Sequence, residues 1–168
     1  MPDEKKLRQV AAKGCPVYYF YSTEAYLVRQ AGRTVCRLLA EDAEEVTTLD
    51  GAAPEIEQII MAAGTISFFG TKRVVLLPEL DPASYSDKDL DALCDTIASA
   101  ENAVLVLCST FEPEWGKLKL SKRAQKLIAH CKKLGYVEEL AKPKPYELKA
   151  MLMERAAAQG ASLAQNAA

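Results

Sequence analysis

The sequence predicts an α/β fold: a five-stranded parallel sheet with helices on both faces. Three observations predict it. Short apolar runs rich in β-branched and aromatic residues recur along the chain. Between them lie longer stretches with apolar residues at helical spacing, and Gly, Pro, Ser and Thr mark the joins. A strand covered on both faces reads as a continuous apolar run, and consecutive parallel strands need a helical crossover. The order over residues 1–140 is β-α-β-α-β-α-β-α-β.

A charged segment at 3–13 with Leu7, Val10 and Ala11 on one side, followed by Gly14, is a short N-terminal helix. Residues 17–21 (VYYFY), between Pro16 and Ser22-Thr23, form the first strand. A helix follows from Thr23 or Glu24, with Leu27, Ala31, Val35, Leu38 and Leu39 inward and Arg29, Gln30, Arg33 and Arg37 outward. Residues 46–49 make the second strand. Pro54 reads as the first residue of a helix whose stripe is Ile56, Ile59, Ile60 and Ala63, with Gly64 at its end. Residues 73–77 (RVVLL) are the third strand. Ser86 caps a helix bearing Leu90, Leu93, Cys94 and Ile97, with Asp89 placed for a capping box. Residues 104–108 (VLVLC) are the fourth strand. Ser121 caps a helix with Ala124, Leu127, Ile128, Cys131 and Leu134 inward, Gly135 ends it, and residues 136–140 are the fifth strand. Residues 141–145 (AKPKP) read as a stiff linker. Residues 146–168 begin a second, helical domain, with Leu148, Met151, Leu152 and Ala156 on one side and Gly160 at the helix end. The closing SLAQNAA starts an element that does not finish, so the chain reads as a fragment cut inside that domain.

Composition narrows the function classes. With 49% apolar and 26% charged residues in 168, the chain has an ordinary globular composition. A net charge of -2 does not suit a small dedicated DNA-binding domain. The five cysteines (15, 36, 94, 108, 131) form no C-x-x-C pair, and they read as small buried thiols in a reducing compartment. The charged start is no secretory signal, and no apolar run reaches the ~18–20 residues of a membrane span. The expectation is a cytoplasmic protein with no membrane partner.

In such a sheet, phosphate binds at the turn after the first strand, where glycines free backbone N–H groups and a Lys reaches the phosphate oxygens. Here that turn is Tyr21-Ser22-Thr23-Glu24-Ala25-Tyr26, without glycine or lysine and with an acid in its middle. The third strand runs into Pro78-Glu79, with Asp81 beyond, where paired acids would hold magnesium. Glu79 alone reads more simply as a loop carboxylate. There is no G-x-S-x-G elbow, and the single His130 reads as an exposed residue on a lysine-rich helix. The fold is therefore expected to be P-loop-like but degenerate, with no catalytic residue, cofactor or metal.

Two features point to partners. Ile66-Ser67-Phe68-Phe69-Gly70 joins the second crossover helix to the third strand, where a polar surface connection is usual. Consecutive Phe residues in a regular strand point in opposite directions, so one of them projects outward unless both fold back into a hydrophobic corner. An exposed aromatic pair makes a protein-binding plug. On the helix after Ser121, Arg123, Lys126, His130 and Lys133 recur at i, i+3, i+7 and i+10, with Lys117, Lys119 and Lys122 nearby. That stripe is either a DNA or partner contact, or a solvated outer face.

The combination resembles the delta subunit of the bacterial DNA polymerase III clamp loader. The residues that carry the resemblance are Tyr21, Glu24, Tyr26, Leu27 and Arg29, then Ile66, Ser67, Phe69, Gly70, Lys72 and Arg73. Lys144-Pro145-Tyr146-Glu147-Leu148, Glu154-Arg155-Ala156 and Gly160 look like the first helix of that family's lid domain. The likeness runs from about residue 17 to 163. Ser22 stands where the family often has Gly, Phe68 replaces an aliphatic residue, and the third, collar domain has no counterpart. The resemblance implies a degenerate AAA+ domain over 1–140 that lacks a working nucleotide site. It implies binding to the ring-shaped sliding clamp (the beta subunit) through Phe68 and Phe69 with Ile66 in support, and opening of that ring. Further implied partners are the other clamp-loader subunits, with DNA reached through the assembled complex. Two rival readings remain: a small nucleotide-using α/β enzyme with an atypical phosphate site, and an AAA+-like adaptor outside replication.

Overall fold

The computed structural model describes residues 4–40, 46–64, 73–100, 103–115 and 117–140. The expected plug residues Ile66, Phe68 and Phe69 lie outside the described residues, as do the linker at 141–145 and the lid helix at 146–168.

Five parallel strands form one sheet: β1 (Val17–Ser22), β2 (Val46–Thr48), β3 (Arg73–Leu77), β4 (Ala103–Thr110) and β7 (Tyr136–Glu139), in the order β2-β3-β4-β1-β7. β1 is central between β4 and β7, with Val17 opposite Leu105 and Ser22 opposite Thr110. Every residue of β1 is buried, as its unbroken apolar run requires. Val17, Tyr19 and Tyr21 point to one side, into a core shared with α3 (Ile56–Gly64), α4 (Asp87–Ser99) and α5 (Lys122–Leu134). Tyr18 and Phe20 point to the other, toward α1 (Glu4–Ala11) and α2 (Ala25–Leu39). Each Leu or Val buried in these layers contributes about 1.5–3 kcal/mol of transfer free energy. The period-2 alternation is what lets one strand serve two cores.

Two glycines set how closely the helices approach. A Cβ on Gly32, midway along α2, would lie 2.5 Å from Cys108 Sγ. A Cβ on Gly135, just after α5, would lie 2.2 Å from the carbonyl oxygen of Val17. The expected caps form: Ser86 Oγ accepts from Asp89 N and Ser121 Oγ from Ala124 N, both at 3.1 Å.

Details depart from expectation at three places. Pro54 is not the first residue of α3, which starts at Ile56; Pro54 is buried and its carbonyl accepts the Tyr85 hydroxyl at 2.5 Å. Ile60, expected inward, is 50% exposed, because α3 meets the core chiefly along Ile59 and Ala63, with Ile56 and Ala62 at the edge. A two-stranded antiparallel hairpin, β5 (Pro113–Glu114) and β6 (Lys117–Leu118), follows β4. Sequence periodicity gave no sign of it, because each of its strands is only two residues long. Trp115 sits there at φ 54° and is 94% exposed.

Candidate functional site

β1 and β4 lie side by side, yet the helix after β1 (α2) covers one face and the helix after β4 (α5) covers the other. Their carboxyl ends therefore open a crevice at the topological switch point, the place where ligands bind in open α/β sheets. In this chain the crevice is occupied from within. Ser22, 1% exposed, donates its hydroxyl to Leu140 O at 2.5 Å and accepts from Glu24 N at 3.1 Å. Ser22 O accepts from Phe111 N at 2.9 Å, and Tyr21 O from Leu140 N at 2.8 Å. These bonds tie the end of β1 to Phe111 and Leu140, and the Glu24 N–H, a donor that could have faced a phosphate, is spent on Ser22 Oγ. Glu24 takes the N-cap position of α2 in an extended conformation.

Aromatic side chains fill the layer beneath. The Tyr21 ring packs edge-on against Tyr19 and against Phe111, each with centroids 5.9 Å apart. Tyr19 donates its hydroxyl to Ser109 Oγ at 2.6 Å, and the Ser109 hydroxyl donates in turn to Leu80 O at 2.7 Å. Burial pushes the Tyr19 phenol far above its usual range, so it stays a neutral donor. The carboxylates after β3 do not face the crevice as a pair. Asp81 caps a short 3-10 turn, accepting from Ala83 N at 3.1 Å and Ser84 Oγ at 2.9 Å, while Glu79 is exposed. Among the described residues no three of His, Cys, Asp and Glu come together.

The basic stripe on α5 meets an acidic stripe on α4. Arg123 Nε donates to Asp87 Oδ1 at 3.1 Å, and the Lys126 ammonium pairs with the Asp91 carboxylate. The Asp91 hydrogen bond raises the Lys126 pKa above its ordinary value. His130 donates from Nε2 to Cys94 O at 2.8 Å. His130, expected to be exposed, is half-buried instead, because its ring turns toward α4 to reach the Cys94 carbonyl. Lys133, the last residue of the stripe, is exposed. The buried thiols are where the apolar faces put them, and Cys15 is half-buried.

α3 is the last described element before the Phe68-Phe69 segment in sequence order. Ile60 (50%) and Met61 (73%) are exposed there. Beside them a groove of about 480 Å³ runs between α3 and α4, lined by Ile60, Ala63, Ala92, Thr96 and Ala100 among others. The outer face of α2, which sequence reading recorded only as a polar surface, forms a second concavity.

The geometry agrees with what the chain is similar to. A family model described as DNA polymerase III, delta subunit, matches residues 18–133. Among solved structures, the Bacillus subtilis DNA clamp loader delta protein superposes with a TM-score of 0.60 at 22% identity, covering 94% of this chain and 48% of that one. The chain thus spans about half the length of that protein, and the likeness is one of fold. No curated protein matches the sequence. With the family model spanning β1 to the last turn of α5, well over half of the sequence, the chain belongs to the DNA polymerase III delta subunit family.

Proposed function

We propose that this chain binds the sliding clamp and favours its open ring, as part of a clamp loader, without itself binding or hydrolysing ATP. The observation that carries the reading is the switch-point crevice. The fold keeps the frame of a nucleotide-binding sheet, but its first turn is tied to Leu140 and Phe111 and its floor is packed with Tyr19, Tyr21 and Phe111. A domain of this kind acts by contact. Ile66, Phe68 and Phe69 are the proposed plug, and Ile60 and Met61, a few positions earlier in the sequence, are exposed apolar residues on α3. Two aromatic side chains entering an apolar pocket could each supply on the order of 2 kcal/mol. They open a ring only to the extent that they bind its open state better than its closed state.

The α5 residues Arg123, Lys126 and Lys133 enter this proposal as a secondary contact to DNA or another loader subunit. The weight falls on Lys133, since Asp87 and Asp91 partly neutralise the other two.

The test is a pull-down with the sliding clamp of the same organism. Wild-type chain is expected to retain the clamp, and a Phe68→Ala, Phe69→Ala double variant with an unchanged melting curve is expected to lose it. Equal retention by the double variant would refute the plug. Calorimetric titration with ATP and magnesium is expected to give no heat, whereas micromolar binding would favour the rival nucleotide-using enzyme.

A further inference from the structure

The outer face of α2 has polar chemistry that the fold leaves unused. The helix Ala25–Leu39 carries Arg29, Arg33 and Arg37 and no acidic residue. Arg37 is held by Glu4, Nη2 to Oε1 at 2.8 Å. Among the described residues no ion pair reaches Arg29 or Arg33, and both are exposed. With Tyr26, Gln30 and Thr34 they line a concavity of about 470 Å³. Tyr26, in the first turn, is 42% exposed. Gln30 Oε1 is buried and, among the described residues, has no hydrogen-bond partner. A buried amide oxygen without a donor is unfavourable, and such a group in a native structure calls for a ligand or water to satisfy it.

We propose that this face of α2 binds single-stranded nucleic acid. Each side chain has a distinct part. Arg29 and Arg33 contact phosphates, and the Tyr26 ring stacks on a base. Helical spacing puts Tyr26, Arg29, Gln30 and Arg33 on one side of the helix. From Tyr26 to Arg33 the axis rises about 10 Å, enough for about three stacked nucleotides at ~3.4 Å each. An acidic peptide would satisfy the two arginines but has no use for an aromatic platform. A duplex hides the base faces that Tyr26 needs, so a single strand fits best. The inference does not depend on clamp binding, since the plug residues lie on a different connection.

Fluorescence anisotropy of a labelled oligo(dT) with the 168-residue chain tests this. Binding is expected at low salt and should weaken steeply as salt is added. Arg29→Ala with Arg33→Ala is expected to weaken binding about tenfold or more and to flatten the log–log salt slope by about 1.4, from two lost phosphate contacts. Tyr26→Ala is expected to weaken binding with the slope unchanged. Lys88→Ala, an exposed cation on α4 across the sheet from this face, is expected to bind as wild type. No binding by wild-type chain at low salt would overturn the proposal, as would wild-type affinity in an arginine double variant whose melting curve is unchanged. Displacement by poly-glutamate as effective as by unlabelled oligo(dT), with Tyr26→Ala silent, would also overturn it and assign the face to an acidic polypeptide.

Discussion

α2 and α5 flank the central strand from opposite faces, and both are rich in cations, but the two helices use them differently. On α5, Arg123 and Lys126 face Asp87 and Asp91 of α4, and His130 reaches a backbone carbonyl of the same helix. Among the described residues, Arg37 alone of the three α2 arginines is paired, and Arg29 and Arg33 stand around a concavity with a buried Gln30 oxygen that has no described partner. From sequence α5 was the basic stripe and α2 an ordinary outer face. The difference teaches that a helix's cation content does not say which cations are available. Availability is set by the neighbouring element: α4 presents carboxylates at matching spacing, and the only described acid paired to an α2 cation is Glu4 of α1. Exposed pairs like those on α5 contribute little to stability, since solvent and salt screen them. Their main effect is to cancel a local field.

The comparison can be strained first at the glycines that seat the helices. Gly135→Ala drives a methyl group into the backbone of Val17 and is expected to cost about 3 kcal/mol, read as a lower urea midpoint. Gly32→Ala, under α2, meets a side chain instead, and should cost about 1–3 kcal/mol. Adding Cys108→Ala is expected to restore part of that loss. A double variant no better than the sum of its parts would mean that α2 is not seated through that contact.

Alkaline pH should act on both sides of the sheet. Burial pushes the Cys36 thiol under α2 up to about 12 and the Cys131 thiol under α5 upward as well. Burial also holds Tyr85 and Tyr136 at about 12. The unfolded chain ionises first, thiols from about pH 8.5 and phenols from about pH 10. The folded state binds more protons over that interval, so stability is full below it and falls as pH rises toward 12. Urea midpoints measured from pH 7 to 11 should decline above pH 9, and Cys36→Ala should flatten the decline. A pH-independent midpoint would contradict the burial of these groups.

Smaller effects separate the two faces directly. His130→Ala leaves the α4 carbonyl without its donor and is expected to cost about 1 kcal/mol. Lys126→Glu sets two carboxylates against each other across α4 and α5 and should lower the melting midpoint, with added salt reducing the difference. Arg33→Glu should leave the midpoint unchanged. A clear loss with Arg33→Glu would show that α2 has a partner within the fold and would close the comparison.

Much of the fold was legible in particular residues. VYYFY could only be a strand buried on both faces, because no alternation offered a solvent side. Ser86 and Ser121 announced their helices, and each accepts the expected backbone N–H. Pro54 misled because proline is as well suited to a loop as to a helix start. In this chain the loop won, since the Pro54 carbonyl serves the Tyr85 hydroxyl. At the crevice, the absence of glycine and lysine was plain from the sequence. That Ser22, Ser109, Leu80 and Leu140 close it was not, since these residues are far apart along the chain.

By itself, then, the sequence determined the five strands of the sheet, the helices between them, their order, and the absence of glycine and lysine from the turn after the first strand. These follow from local periodicity, caps and residue chemistry, which act over a few positions. It also supplied the Phe68-Phe69 segment. Only the tertiary structure decided which charges remain available, what fills the switch-point crevice, and where His130 goes. Those outcomes depend on contacts between residues tens of positions apart, and such contacts exist only once the helices have packed on the sheet.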